Sequence, residues 1–261
     1  VFVGDSRLSA RPQDVRDAAR ADLPMDRDPG RIEAMFGGIA ARYDLMNRLM
    51  TVGLDRGWRR LAAREAALAP GDRALDACCG TGDLTFSLLD GCPGCMVTGL
   101  DFTPAMVERA RRKALARARR GRPAPSAIVV GDLLDLPFED DAFAAVTVGW
   151  GIRNVPDVPR AFSEMARVTR PGGRVVCLES TLPAGGAGRR VNDLWLGGVV
   201  PVLGRLVTGN SSAYAYLPAS VAAFPRAGAL AAIMAGAGLT HVRYRPLGFG
   251  AVALHVGEVP A

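Results

Sequence analysis

Arg73-Ala-Leu-Asp-Ala-Cys-Cys-Gly-Thr-Gly-Asp83 reads as a short buried strand, a tight glycine turn and the opening of a helix. The strand runs from Arg73 to Ala77, the turn passes through Gly80 and Gly82, and the helix opens near Asp83 and Leu84. Glycines at such a turn let backbone approach a ligand where a Cβ would collide. They also bring that ligand to the amino end of the helix. The spacing is not the Gly-x-Gly-x-x-Gly of a dinucleotide site, because no third glycine follows. Taken alone, the turn fits a purely structural role as well as a ligand site.

Outward from this stretch the chain alternates between short apolar runs and amphipathic segments, the pattern of a parallel sheet with helices on both faces. Strands are expected at 74–77, 96–101, 127–131, 144–148 and 174–179, with helices at 85–89, 104–120 and 158–168. Pro171-Gly172-Gly173 reads as a turn feeding the fifth strand. A helix at 227–237 and strands at 241–245 and 251–257 complete the sheet. Upstream, Ile32, Met35, Phe36, Ile39, Tyr43, Met46 and Met50 recur at helical steps, predicting one helix with an apolar face. A second helix, 55–69, carries Trp58 and stops at Pro70-Gly71. Residues 1–30 are polar and broken by prolines, so a loosely ordered extension is expected there. The remainder, 31–261, reads as one domain, with a helical lid at 31–69 and an insertion at 190–226.

Composition narrows the function. With 261 residues and 49% hydrophobic content the chain is long and apolar enough for one full core. No uninterrupted apolar run reaches the roughly eighteen residues of a membrane span. The net charge of +6 rests on arginine, since Lys113 is the only lysine. In the basic run from Arg109 to Arg122, Ala110, Ala114 and Ala118 fall at helical spacing. A solvated helix face is the first reading and anionic lipid headgroups the second. Nucleic acid is disfavoured, because no aromatic residues interleave the run. The first residues show no apolar segment of a signal peptide, and the five cysteines then suggest a reducing compartment. Cys92-Pro-Gly-Cys95 lacks the second pair that a zinc site needs, and it leads into a strand rather than opening a helix. It is read as a turn with incidental thiols, and no metal is expected.

In a doubly wound sheet, ligands bind at the carboxyl ends of the strands. Asp76 ends the first strand and is followed by Gly80, Thr81 and Gly82, a layout similar to that of class I methyltransferases. Asp101, with Phe102 beyond it, ends the second, where a carboxylate takes ribose hydroxyls. Asp132 and Leu133 follow the third, in position for adenine. The fourth ends in Thr147-Val-Gly-Trp-Gly-Ile-Arg-Asn-Val155, whose Gly149 permits close contact. Together these predict an S-adenosylmethionine site.

The chain resembles the UbiE/MenG quinone C-methyltransferases from about residue 32 to residue 257. The resemblance rests on Ala40-Ala-Arg-Tyr-Asp-Leu-Met-Asn47, Leu75-Asp-Ala-Cys-Cys-Gly-Thr-Gly-Asp83 and Gly149-Trp-Gly-Ile-Arg-Asn-Val155. Pro171-Gly-Gly173, Tyr216-Leu217 with Ser220 and Phe224-Pro225, and Val252-Ala-Leu-His255 add to it. It implies a class I, Rossmann-like fold with a seven-stranded, mostly parallel sheet, and methyl transfer from S-adenosylmethionine to a ring carbon of a polyprenylated quinol. Demethylmenaquinol is favoured over the ubiquinone precursor. Two positions depart from the family pattern: Gly37 stands where an Asp is usual, and Gly149 where a Ser is common.

Such chemistry requires a site that polarises or deprotonates a phenol. Arg153 is the candidate to stabilise a phenolate, Asn154 to hold the neighbouring oxygen, and Tyr43 and Asn47 to close over the ring. His255 is read as structural and His241 as a surface residue. The apolar stretch 191–207 is expected to form two short helices serving as a prenyl groove and bilayer contact, or else to pack as a core insertion. Contact with the inner face of a membrane from the cytoplasm and homodimerisation are carried as expectations. Two other functions stay open: methylation of another small phenol or polyketide, and a non-catalytic cofactor-binding subunit of a quinone-synthesis complex.

Overall fold

The computed structural model describes residues 28–183 and 212–261, together with residues 2–3 and a few positions between 185 and 202. The quoted stretch folds as expected, with β1 at Arg73–Ala77 and a helix at Asp83–Gly91. Three helices precede it: α1 (Pro29–Ile39), α2 (Tyr43–Met50) and α3 (Asp55–Glu65). The helix after β1 is α4. Then come β2 (Met96–Asp101), α5 (Pro104–Ala118), β3 (Ala127–Val130), β4 (Phe143–Gly149), α6 (Val158–Arg167) and β5 (Thr169–Ser180). The chain closes with α7 (Ser212–Ala222), α8 (Ala227–Gly236), β6 (Thr240–Leu247) and β7 (Val252–Glu258). The seven strands lie in the order β3-β2-β1-β4-β5-β7-β6. β7 alone runs antiparallel to its neighbours.

The chain turns one way from β1 to β2 and returns to the other side for β4, so a crevice opens at the carboxyl ends of β1 and β4. Side chains along β1 alternate between faces. Leu75 and Ala77 join a core with Phe162, Met165 and Leu230 of α6 and α8. Ala74 joins the opposite core, with Ala62, Leu84 and Leu88 of α3 and α4. Asp76 therefore faces the α4 side, where the hydroxyls of Thr85 and Thr147 reach it.

Several expectations are corrected. The single helix expected over 32–50 is broken at 40–42, where the Ala40 and Arg42 N–H groups donate three residues back, to Gly37 and Ile39. Gly37-Gly38 weakens the helix just before the break. Both halves still meet in one cluster around Ile39 and Met46. Pro171-Gly172-Gly173 lies inside β5 as a bulge, not before it, and the register with β4 shifts there. Cys92 and Cys95 are joined in a disulfide, not left as thiols. The reason is local: the Cys95 N–H donates to the Cys92 carbonyl across Gly94, whose φ is +90°. This holds the two Cα atoms 5.7 Å apart, within bonding range. Most of residues 1–30 and of 191–207 lie outside the described residues.

His255, on β7, is 1% exposed, bonded through Nε2 to the Ala227 carbonyl (2.9 Å) and stacked on Tyr244. Burial pushes its pKa down to about 4. The folded protein thus resists protonation that the unfolded chain accepts near 6.5. His255 contributes stability that is fully present above about pH 6.5 and lost as pH falls towards 4, on the order of 3 kcal/mol. Urea unfolding at pH 7 and pH 4.5 is expected to show a shallower loss for His255→Gln than for the parent. Equal losses would remove His255 as the source.

Candidate active site

The turn after β1 places its glycines in the left-handed region, with φ +55° at Gly80 and +88° at Gly82. A Cβ on Gly82 would lie 2.9 Å from the Phe86 ring, so the turn can close only with glycine there. A Cβ on Gly80 would meet nothing nearer than Tyr43 at 4.0 Å, so that side is open for a ligand. Cys78 and Trp150, at the ends of β1 and β4, also hold positive φ, +54° and +56°. Backbone in this region is costly for such side chains and recurs where a site imposes it.

One cavity runs along the strand ends past Asp101, Phe102, Met106, Leu133 and Gly149. Asp101 is held by the N–H groups of Gly80 (2.8 Å) and Thr103 (2.9 Å). Burial raises its pKa, although those two bonds oppose the shift. Asp132, exposed, also borders this cavity and accepts the Leu134 N–H (2.9 Å). A smaller cavity adjoins it, bounded by Asp76, Gly80, Thr81 and Gly149. Asp76 is fully buried and accepts from Thr85 (2.6 Å) and Thr147 (3.0 Å). Its burial lifts its pKa to about 7. The cofactor candidates read from the sequence thus gather along two joined cavities, except Gly82, which packs against Phe86 and lines neither. An apolar floor, a carboxylate at the end of β2 and an open glycine turn fit a nucleoside carrying an amino-acid tail.

A third cavity, mostly apolar, lies under the lid and is lined by Met35, Ile39, Met50, Trp58, Trp195 and Leu217. Tyr43 and Trp150 border all three cavities, so they stand where cofactor and substrate would meet. The break at 40–42 puts Tyr43 at the first position of α2. Burial raises its pKa, with a hydrogen bond from Asn47 working against the shift, so its hydroxyl stays protonated. Asn47 borders the large apolar cavity and the smaller one.

Arg153 and Asn154, adjacent in a short 3-10 turn (Ile152–Asn154), open on different sides. Arg153 borders the apolar cavity and Asn154 the nucleoside cavity. Asn154 accepts from the Tyr216 hydroxyl (3.1 Å). Arg153 donates through Nη1 to Glu179 (2.7 Å) and to the Trp150 carbonyl (2.7 Å). Burial works against its charge, but Glu179 more than compensates and its pKa is raised. Glu179 was missed by the sequence reading; its place near the carboxyl end of β5, beside β4, was the available signal.

Two further groups join the lid to the cofactor turn. Asp44 of α2 accepts from Thr81 and from Lys113 of α5 (3.0 Å), and Lys113 also pairs with Asp83. Arg59 of α3 bridges Asp55 (2.6 Å) and Asp83 (3.3 Å), with its guanidinium 5.3 Å from the Trp150 ring. The lone lysine thus ties the lid to the glycine turn. Asp44→Asn is expected to weaken S-adenosylmethionine binding about fivefold, since each exposed pair is worth up to roughly 1 kcal/mol. Calorimetric titration checks this, and unchanged affinity would show that the tie adds nothing to cofactor binding.

Among solved structures, the complex of the Haloferax volcanii Trm112 methyltransferase activator with its methyltransferase matches with a TM-score of 0.59 at 21% identity, over 87% of this chain and 98% of that one. A Haemonchus contortus phosphoethanolamine N-methyltransferase 2 in complex with S-adenosyl-L-methionine matches at 0.56 and 15%, over 77% of this chain and 52% of that one. These likenesses show the fold. In sequence, a demethylmenaquinone methyltransferase of Thermus thermophilus is 48% identical over 226 residues, 87% of this chain and 100% of that protein. One from Deinococcus radiodurans is 44% identical over 233 residues, 89% of this chain and 94% of that protein. The ubiquinone/menaquinone biosynthesis C-methyltransferase UbiE of Geotalea daltonii is 39% identical over 229 residues, 87% and 96% of the two chains. The model of the ubiE/COQ5 methyltransferase family matches residues 25–259, and the chain belongs to that family, whose methyl donor is S-adenosylmethionine.

Proposed function

We propose that this protein methylates a ring carbon of a polyprenylated quinol, demethylmenaquinol before the related ubiquinone precursor. The observation that carries the reading is the meeting of a nucleoside cavity and an apolar cavity at Tyr43 and Trp150. The relatives named demethylmenaquinone methyltransferase point to the same substrate.

The bound cofactor supplies an electrophilic methyl group, so no covalent nucleophile is needed from the protein. The chain's own work is to hold the ring in line and to manage a phenolic proton. Gly80, Asp101, Phe102 and Leu133 seat the nucleoside, and Thr81, Gly82, Asp76 and Gly149 shape the end that carries the amino acid. The Tyr43 hydroxyl, kept protonated by burial, donates to the ring oxygen. Arg153, held by Glu179, presents fixed N–H dipoles to the oxygen as it gains charge. Asn154 and Asn47 fix the orientation of Tyr216 and Tyr43. Met35, Ile39, Met50, Trp195 and Leu217 exclude water and receive the first units of the prenyl tail. The protein works at the inner membrane face, where the quinol resides.

A turnover assay tests this with S-adenosylmethionine and chemically reduced demethylmenaquinone bearing a short prenyl tail, the product being read by mass. A gain of one methyl group is expected from the reduced form only. Equal turnover of tail-free phenols would redirect the assignment to another phenolic substrate. Cofactor binding without any product would favour the non-catalytic subunit.

A further inference from the structure

Six of the large apolar side chains that the described residues leave in solvent fall on three segments, while Val3, Met96, Leu115 and Val130 lie outside them. Leu45 (50% exposed), Leu49, Val52 (74%) and Leu54 (54%) follow one another along α2 and the loop into α3. Phe249, 93% exposed, tips the turn between β6 and β7, and Leu194 is 72% exposed. None of the six lines the apolar cavity, but each of the three segments adjoins residues that do. Gly248 packs so closely on Trp58 that a Cβ there would lie 2.8 Å from its ring. Trp195 donates from Nε1 to the Met50 carbonyl (2.9 Å). Met50, Trp58, Trp195 and Ala251 all line the cavity itself.

The two most exposed tips carry an additional cost. Val52 and Phe249 have φ of +52° and +56°, a left-handed backbone that β-branched and bulky residues rarely adopt. A polar residue or glycine would suit both positions better in water. Beside this apolar rim, Arg48, Arg56 and Arg60 are exposed and line a polar cleft that also holds Asp44, Asp55, Asp83 and Asp90, carboxylates that pair with Arg59, Lys113 and Arg117. An apolar edge flanked by exposed arginines is complementary to a bilayer with anionic headgroups.

We propose that Val52, Leu54 and Phe249 dip into the acyl boundary of an anionic bilayer while Arg48, Arg56 and Arg60 contact its phosphates. The mouth of the apolar cavity is thereby seated on the membrane, and a prenylated substrate passes into it without crossing water. The surface rests on the quinol reading for its purpose but not for its test, which needs no substrate. It lies on the lid loop and the β6–β7 turn, in addition to the insertion at 190–226.

The test is flotation of the full chain with vesicles of phosphatidylcholine alone and of phosphatidylcholine with phosphatidylglycerol. Binding is expected to be strong only with phosphatidylglycerol. The double variant Val52→Asn/Phe249→Asn should partition at least about tenfold more weakly, because two apolar side chains are lost from the interface. Asparagine tolerates left-handed backbone, so this variant should be at least as stable as the parent to heat. Arg56→Gln/Arg60→Gln should lose roughly fivefold per arginine on the anionic vesicles only. Retained binding by the asparagine variant would overturn the proposal. So would equal binding of the parent to both vesicles, or a parent that floats with neither and is instead a dimer that the asparagine variant splits. Methyl transfer to a short-tailed quinol in detergent, measured on the same variants, reports separately on the function.

Discussion

Replacing Glu179 by glutamine is expected to lower stability by about 3 kcal/mol and turnover by at least about a hundredfold. Glu179 is 1% exposed and Arg153 6%, so neither charge has water to fall back on. Oε1 of Glu179 accepts from Arg153 Nη1 and from the Ser180 N–H (2.7 Å each), and Oε2 accepts the Arg153 N–H (3.3 Å). Glutamine keeps the shape but removes the charge and offers a donor where an acceptor is needed. The guanidinium is then buried without a counterion, which is the costly way to break such a pair. The catalytic loss follows from geometry, because the same carboxylate holds the turn that presents Arg153 and Asn154. The double variant Arg153→Met/Glu179→Leu separates the two effects: its stability should return to within about 1 kcal/mol of the parent while turnover stays lost. Denaturant unfolding and the mass-detected assay read both quantities. A Glu179→Gln protein as stable as the parent would mean that the pair is solvated in solution.

The second large effect is expected at Gly151. Its own φ is −106°, which any residue adopts, so the constraint is space rather than backbone. A Cβ there would lie 2.3 Å from the Cβ of Cys78. The ends of β1 and β4 would have to separate, and Cys78 and Trp150 border the cofactor cavity from those two ends. Gly151→Ala should therefore cost about 2 kcal/mol of stability and weaken S-adenosylmethionine binding by at least about tenfold. Cys78→Gly removes the opposing atom and also suits the left-handed backbone at that position. The double variant should recover most of the affinity. Calorimetry on the three variants decides the matter, and failure of the rescue would place the defect elsewhere than in the Gly151–Cys78 contact.

Much of the lining of the strand-end cavity was legible in the sequence. A strand, a glycine turn and a helix are neighbours in sequence, so Gly80, Gly82 and Asp76 announce their geometry locally. Asp101, Leu133 and Gly149 follow because parallel strands joined by helices bring successive carboxyl ends to one edge. The substrate half was less legible. Tyr43 and Asn47 lay on a helix read as continuous, and the break at 40–42 is what turns Tyr43 towards the junction of the cavities.

The order of elements, the parallel character of the sheet and the positions of the residues that line the strand-end cavity are properties of short windows. Apolar period and glycine placement fix them, because each residue there answers to its near neighbours in the chain. The pairing of Arg153 with Glu179 joins the turn after β4 to β5, and the tie among Asp44, Thr81 and Lys113 joins three elements. The bulge at 171–173 depends on register against β4. The exposed rim of Val52, Leu54 and Phe249 exists only because β6 and β7 return beside α3. Each of these depends on which surfaces become buried together, and burial sets the strength of a charge pair and the cost of an apolar tip.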